Sequence, residues 1–182
     1  VWALPYYSVV SAEETEKGCD IIIADTIRIP SEAVDPTIKN YGRLDFVRAL
    51  FEAYDKEARY AVLLDGDGNV TEGRGWNIFA LDNGHLISPS EGVLEGITRR
   101  TVVELAEKLN IEARLEKLPV SRMRGAQEIF LTSTAGGIVP VKCLDGKNVG
   151  DGGIGPVTKR LADMYWQLHE DDAYTTPVDY SQ

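Results

Sequence analysis

Ile21-Ile22-Ile23-Ala24-Asp25-Thr26-Ile27-Arg28-Ile29-Pro30 leads, a few residues later, into Asp35-Pro36-Thr37-Ile38-Lys39-Asn40. The first stretch, which opens at Cys19, is a β-branched run of strand type that a proline ends. The second is a proline turn that sets a lysine among Thr37, Ile38, Asn40 and Tyr41, with no acid adjacent. From Arg43 onward Leu44, Val47, Leu50, Phe51 and Tyr54 recur at helical spacing, with Asp45, Arg48, Glu52 and Asp55 on the other side. Strand, turn and amphipathic helix in this order begin an α/β unit. Lys39 stands at its strand-to-helix junction.

Further along, Tyr60 to Leu64 reads as a second strand, closed by the turn residues Asp65-Gly66-Asp67-Gly68-Asn69. A calcium loop in that register needs Gly and Glu where Val70 and Trp76 stand, so the turn only joins strands. Asn83-Gly84 between two apolar runs predicts a tight hairpin, with Glu72 and Asn77 on strands feeding it. Gly92 to Arg100 leads into a helix over Thr101 to Leu109, with Val102, Leu105, Ala106 and Leu109 on its apolar face. Ile111 to Val120 reads as one strand, Ser121 to Gln127 as a short helix, and Glu128 to Thr134 as a strand running into a small-residue turn, Ala135 to Pro140. Val141 to Leu144 continues as a strand, and a last helix spans about Pro156 to Leu168. No internal repeat or low-complexity linker interrupts the order, so the fold class is one α/β (α+β) unit with a mixed sheet. Residues 1–18 read as an interdomain strand or linker, because Val1-Trp2-Ala3-Leu4-Pro5-Tyr6-Tyr7 resembles the middle of something, and 19–182 as the large domain.

With 182 residues the chain buries roughly 70% of its unfolded surface. A net charge of −10 and no basic cluster longer than Arg99-Arg100 exclude nucleic acid as a partner. No apolar run has the length of a membrane span and no secretory leader pattern is present, which makes the expected location cytoplasmic, with no membrane partner. Cys19 and Cys143 stand far apart, without paired histidines, and are expected as buried, reduced thiols; no metal site is expected.

The chemistry-bearing residues are few: Lys39, Glu72 in Thr71-Glu72-Gly73, and the hydroxyls Thr98, Ser133 and Thr134 near glycine turns. No Cys-His pair exists, and His85 and His169 fall in a hairpin and a helix end, so a serine or cysteine hydrolase is not suggested. A phosphate cradle at Gly96-Ile97-Thr98 and Thr134-Ala135, a lysine able to form an imine and a carboxylate able to protonate a ring nitrogen are what pyridoxal phosphate requires. Taken singly, each has a plainer reading: Lys39 a solvated turn lysine, Glu72 a strand-end ion-pair partner, Thr98 a helix cap, Leu94 core.

The ordered set Asp-Pro-Thr-Ile-Lys-Asn (35–40), Thr-Glu-Gly-x-Gly-x-Asn (71–77), Gly-Val-Leu-Glu-Gly-Ile-Thr-Arg (92–99) and Ser-Thr-Ala-Gly-Gly-Ile-x-Pro (133–140) resembles the fold type IV pyridoxal-phosphate aminotransferases. Within that class the doubled Gly136-Gly137, the Ile154-Gly155-Pro156 helix start and the tail from Tyr174 to Tyr180 most resemble the (R)-selective amine transaminases. The resemblance covers practically the whole chain and implies the larger, cofactor-binding domain of the D-amino-acid and branched-chain transaminase fold.

It implies that Lys39 holds the cofactor as an internal aldimine and then serves as the base, that Glu72 bonds the ring nitrogen, and that Leu94 packs on the ring. Ile97, Thr98 and Thr134 would hold the phosphate, and Arg43, Thr134 and Ala135 would line the substrate side. Asn77 stays structural, satisfying backbone groups beside the turn. The implied reaction moves an amino group from an (R)-amine to a keto acid such as pyruvate, both small molecules. The alternatives are a D-amino-acid or branched-chain transaminase, or an aminodeoxychorismate-type lyase. A different class is an inactive fragment that acts as an assembly partner.

Two departures stand out. Where the resembled amine transaminases carry a pocket aromatic after the lysine this chain has Arg43, which either favours a carboxylate-bearing substrate or points to solvent. The N-terminal domain that such enzymes carry is not in this sequence, so it is expected as a separate or cleaved segment, and the assembly as at least a homodimer.

Overall fold

The computed structural model describes residues 9–177. The aromatic opening Val1 to Tyr7 and the closing Val178-Asp179-Tyr180 lie outside the described residues. Within 1–18 the chain forms a short helix where a strand or linker is expected: α1 (Ala12–Lys17). Its cause is local, since Ser11 Oγ accepts from Glu14 N while Ser11 N donates to the Glu14 carboxylate at 2.9 Å, a reciprocal capping box.

The elements then follow as β1 (Cys19–Ile27), α2 (Leu44–Asp55), β2 (Tyr60–Leu64), β3 (Asn69–Gly73), β4 (Asn77–Asp82), β5 (His85–Pro89) and α3 (Ile97–Lys108). The second half adds β6 (Ala113–Glu116), β7 (Leu118–Pro119), α4 (Val120–Arg124), β8 (Glu128–Ser133), β9 (Gly137–Leu144), β10 (Lys147–Asn148) and α5 (Pro156–Gln167), with a last 3-10 turn at Leu168–Glu170. Asn83 and Gly84, both at positive φ, make the expected two-residue hairpin between β4 and β5. The Asp65 turn closes on its own carboxylate, which accepts from Asp67 N and Asn69 N at 2.9 and 2.8 Å.

The strands form one mixed sheet in the order β6-β5-β4-β8-β9-β1-β2-β3-β7, with β10 on β9. Here the single strand expected over Ile111 to Val120 is two. β6 pairs with β5 at one edge and β7 with β3 at the other, with only Lys117 between them. The sheet is therefore curled until its edges meet.

Alternation along each strand then separates an inside from an outside. Ile21, Ile23, Ile78, Ala80, Ile129, Leu131, Val139 and Val141 fill the inside of the curl. Phe79, Phe130 and Ile138 face outward under α3 and α5, against Val102, Leu105 and Leu161, and Phe79 stacks on Phe130 at 5.1 Å between centroids. On a third side Ile22, Ala24 and Leu63 meet Phe46, Ala49 and Ala53 of α2.

That contact reverses the helix face expected from spacing. Leu44, Val47, Phe51 and Tyr54 point outward, Leu44 being 77% and Phe51 62% exposed, while Asp45, Phe46, Ala49 and Ala53 are buried. The small alanines let α2 lie close to β1 and β2. Glu52, expected on a solvated side, bonds Asp25 N at 2.6 Å and the Thr26 hydroxyl, and although burial opposes its charge these bonds hold its carboxyl below the usual range. Cys19 is buried and its thiol pushed up to about 12 by burial, whereas Cys143 is only half-buried, a correction to the expected pair of buried thiols. Among the described residues no helix is long and apolar enough to cross a membrane.

Candidate active site

The turn that carries Lys39 is built by side chains that bond their own backbone. Asp35 Oδ1 accepts from Thr37 N at 2.9 Å and from Thr37 Oγ1 at 2.7 Å, which holds the Asp35 carboxyl below its usual range. Asn40 repeats the device, its Nδ2 donating to Ile38 O and its Oδ1 accepting from Gly42 N, both at 2.8 Å. Lys39 is thus fixed between two such turns, with its side chain exposed to a cavity rather than to a partner strand.

Two adjoining cavities meet there, of about 100 and 690 Å³. The smaller one is lined by Lys39, Glu72, Leu94, Ile97, Thr98 and Thr134, the six residues expected to hold a cofactor. The larger one is lined by Arg43, Thr134 and Ala135, the three expected on the substrate side. Lys39, Arg43 and Thr134 line both.

Glu72 sits near the end of β3 and is buried. Its Oε2 accepts from Leu94 N at 2.9 Å and from Asn77 Nδ2 at 3.1 Å, and Asn77 Nδ2 also donates to Leu94 O at 2.9 Å. Asn77 therefore ties strand to loop, the structural part expected of it. Burial pushes the Glu72 carboxyl up to about 7, against the opposing pull of the Leu94 N–H, Arg28 and Arg43. No side chain fits at Gly96, because a Cβ there would overlap Asn77 Oδ1.

Gly96 is also the N-cap of α3 and leaves the first-turn N–H groups without a side-chain acceptor. Ile97 and Thr98 are the first two residues of that helix, an anion-binding end that faces the smaller cavity. Beneath it Arg99 is buried, its Nε on Ser88 Oγ at 3.0 Å and its NH2 on Pro89 O at 2.6 Å, both neutral oxygens. Burial lowers its pKa while Glu95 and Glu72 oppose that.

Three site residues escaped the pattern of the chain. Arg28 leaves the end of β1 and points its NH1 to Asp45 Oδ2 at 2.6 Å and its NH2 to Glu72 Oε1 at 3.5 Å. Phe46 lies under both Arg28 and Arg43, whose guanidinium carbons are 4.3 and 4.9 Å from the ring centre. Thr132, on β8 at the cavity wall, has a buried Oγ1 with no hydrogen-bond partner. Neither strand alternation nor helical spacing gives a signal for residues whose partners come from other elements. Among the described residues no group of three His, Cys, Asp or Glu side chains gathers as a metal site.

The model of the amino-transferase class IV family matches residues 6–144. The branched-chain-amino-acid aminotransferase of Escherichia coli (strain K12) is 33% identical over 169 residues, 91% of this chain and 55% of that protein. The branched-chain-amino-acid aminotransferase-like protein 1 of Arabidopsis thaliana is 34% identical over 97% of this chain and 31% of its own. In three dimensions the Escherichia coli branched-chain amino acid aminotransferase superposes with a TM-score of 0.88 at 31% identity, over 98% of this chain and 59% of that one. The branched-chain amino acid aminotransferase of Thermobaculum terrenum in its PLP form gives 0.84 at 31% identity, over 91% and 56%. The chain spans about half the length, or less, of these relatives.

Proposed function

Because this chain belongs to the class IV aminotransferases, we propose that it is the cofactor-binding part of a pyridoxal-phosphate aminotransferase that moves the amino group of a branched-chain amino acid to a keto acid. The names of its relatives support this reading over the transfer from an (R)-amine. The single observation that carries it is the convergence of Lys39, Glu72, Ile97, Thr98 and Thr134, from separate segments of chain, on one cavity.

The residues fit the cofactor. Among the described residues Glu72 Oε1 has the Arg28 ion pair alone and keeps room for a ring N–H, and Thr132 Oγ1, without a hydrogen-bond partner there, offers a further hydroxyl at the wall. The α3 first turn, with the Thr98 and Thr134 hydroxyls and the buried charge of Arg99, suits the phosphate. Leu94, on the cavity wall, would lie against the ring. Pyridoxal phosphate, when bound, supplies a carbonyl carbon for an amine and a ring that draws off electrons.

Lys39 Nζ would anchor the group and would hold a proton as general base. Glu72 would face the ring nitrogen and, in its charged form, hold a proton there. Arg43, on the wall common to both cavities, receives the substrate carboxylate and so favours an amino acid over a simple amine. On this reading the partners are an amino acid, a keto acid, a second copy of the chain and the remainder of the catalytic unit, with residues 1–18 lying between domains.

Borohydride reduction of the chain loaded with pyridoxal phosphate, followed by peptide mass analysis, is expected to place the label on Lys39 and to lose it in Lys39→Ala. A label on another lysine, or none, overturns the reading. With L-leucine the bound chromophore is expected to bleach and with (R)-1-phenylethylamine to persist; the reverse restores the amine transaminase.

A further inference from the structure

The catalytic reading leaves one buried group unused, the guanidinium of Arg28. It is only 8% exposed and stands between two carboxylates, Asp45 at 2.6 Å and Glu72 at 3.5 Å. The same Asp45 Oδ2 accepts from Ile29 N at 3.1 Å, and Arg28 N itself donates to Leu64 O at 2.8 Å. The Phe46 ring covers its carbon at 4.3 Å. The guanidinium is thus held at its backbone, one face and its NH1, while its NH2 reaches Glu72 and its buried Nε has no hydrogen-bond partner among the described residues.

We propose that Arg28 is a positioning residue, braced by Asp45 and Phe46, that favours the charged form of the Glu72 carboxylate against its burial and leaves its Oε1 as the oxygen available to a ligand. Oε2 is already occupied by Leu94 N and Asn77 Nδ2. Other charges face Glu72 as well: Arg43 at the start of α2, Arg99 on α3, and Lys39 across the shared cavity. Of the cations, Arg28 alone makes an ion pair with Glu72 among the described residues. Burial works against a charge on Glu72, and Arg28 and Arg43 are the cations that oppose it.

This deepens the reading of Glu72 as the ring-nitrogen partner and rests on it for its meaning. Its test needs no cofactor, so a failure of cofactor binding and a failure of the Arg28 role are read separately. In the cofactor-free chain carrying 13C-labelled glutamate, the Glu72 carboxyl signal is assigned by its loss in Glu72→Gln and titrated by NMR. Arg28→Met is expected to move its midpoint up by about one unit or more, as the loss of an adjacent opposite charge does. Arg28→Lys, which keeps the charge without the fork, is expected to return most of that shift. An unmoved or lowered midpoint in Arg28→Met overturns the proposal. Should that variant not fold, Arg28→Gln decides, a rise supporting the proposal and no change or a fall ending it.

Discussion

Glu72 is 5% exposed, and burial pushes its carboxyl from 4.5 up to about 7. Between those two values the folded chain keeps a proton that the unfolded chain has released. The folded state then binds more protons, so stability falls as pH rises. The contribution is whole below 4.5 and is lost as pH passes 7; the full shift corresponds to roughly 3 kcal/mol. In the cofactor-free chain the stability difference between wild type and Glu72→Gln is expected to change by about that amount between pH 4 and pH 8. Denaturant titrations at the two ends check this, and a constant difference means that Glu72 titrates as an ordinary glutamate. Gly96→Ala acts on the same carboxylate at one remove: the new methyl displaces Asn77 Oδ1, so the variant is expected to bind pyridoxal phosphate more weakly. Equilibrium dialysis measures it, and unchanged affinity would show that Asn77 does not position Glu72.

Lys39 was readable at this scale because its turn is made by neighbours in sequence, Asp35 with Thr37 and Asn40 with Gly42. Arg28 was not. It sits in Thr26-Ile27-Arg28-Ile29 like any strand residue, and its partners Asp45 and Glu72 come to it only when α2 and β3 are in place.

Among the elements, α2 shows why a helix can be located correctly and turned the wrong way. Two stripes satisfy its period, and the more apolar one faces outward. The buried stripe hides behind a charged residue and two alanines, whose value is closeness to the sheet rather than hydrophobicity. Phe46→Ala is accordingly expected to cost about 3–5 kcal/mol, the loss of a large buried aromatic. Phe51→Ala in the same helix should cost within about 0.5 kcal/mol, as exposed substitutions do. Chemical denaturation of the two variants compares them, and equal costs would contradict the observed face. The divided strand at Lys117 was unreadable for a similar reason: Ile111 to Val120 has one continuous apolar and polar rhythm, and only the closing of the sheet assigns its halves to different edges.

In the whole molecule, distant segments complete each other's polar groups. The buried Glu128 on β8 accepts from Val157 N at 3.1 Å, Thr158 N at 2.7 Å and Thr158 Oγ1 at 2.7 Å, so a strand caps the first turn of α5. Gly155 has no room for a Cβ against that carboxylate. Glu128→Ala strands these donors and is expected to cost about 1–3 kcal/mol. Amide exchange at Val157 and Thr158 should quicken more than at Val102 in α3, and equal changes in both helices would point to general loosening. The mixed sheet and the order of its elements were legible in the chain, since turns and strand runs are local; the curl that brings its edges together was not.

The sheet order also sets a timetable. Of the described strands β1 is the first to be synthesised, yet it lies between β2 and β9, and Ile23 N finds Asp145 Oδ1 at 2.8 Å across 122 residues. At ribosomal speeds of about 5–20 residues per second, one flank of β1 waits roughly 6–25 s for its neighbour. Through that interval the nascent chain carries an open, isoleucine-rich strand edge of the kind that pairs with other chains. A ribosome-bound chain halted before Gly137 is therefore expected to leave that flank of β1 unpaired and open to a chaperone or to another chain.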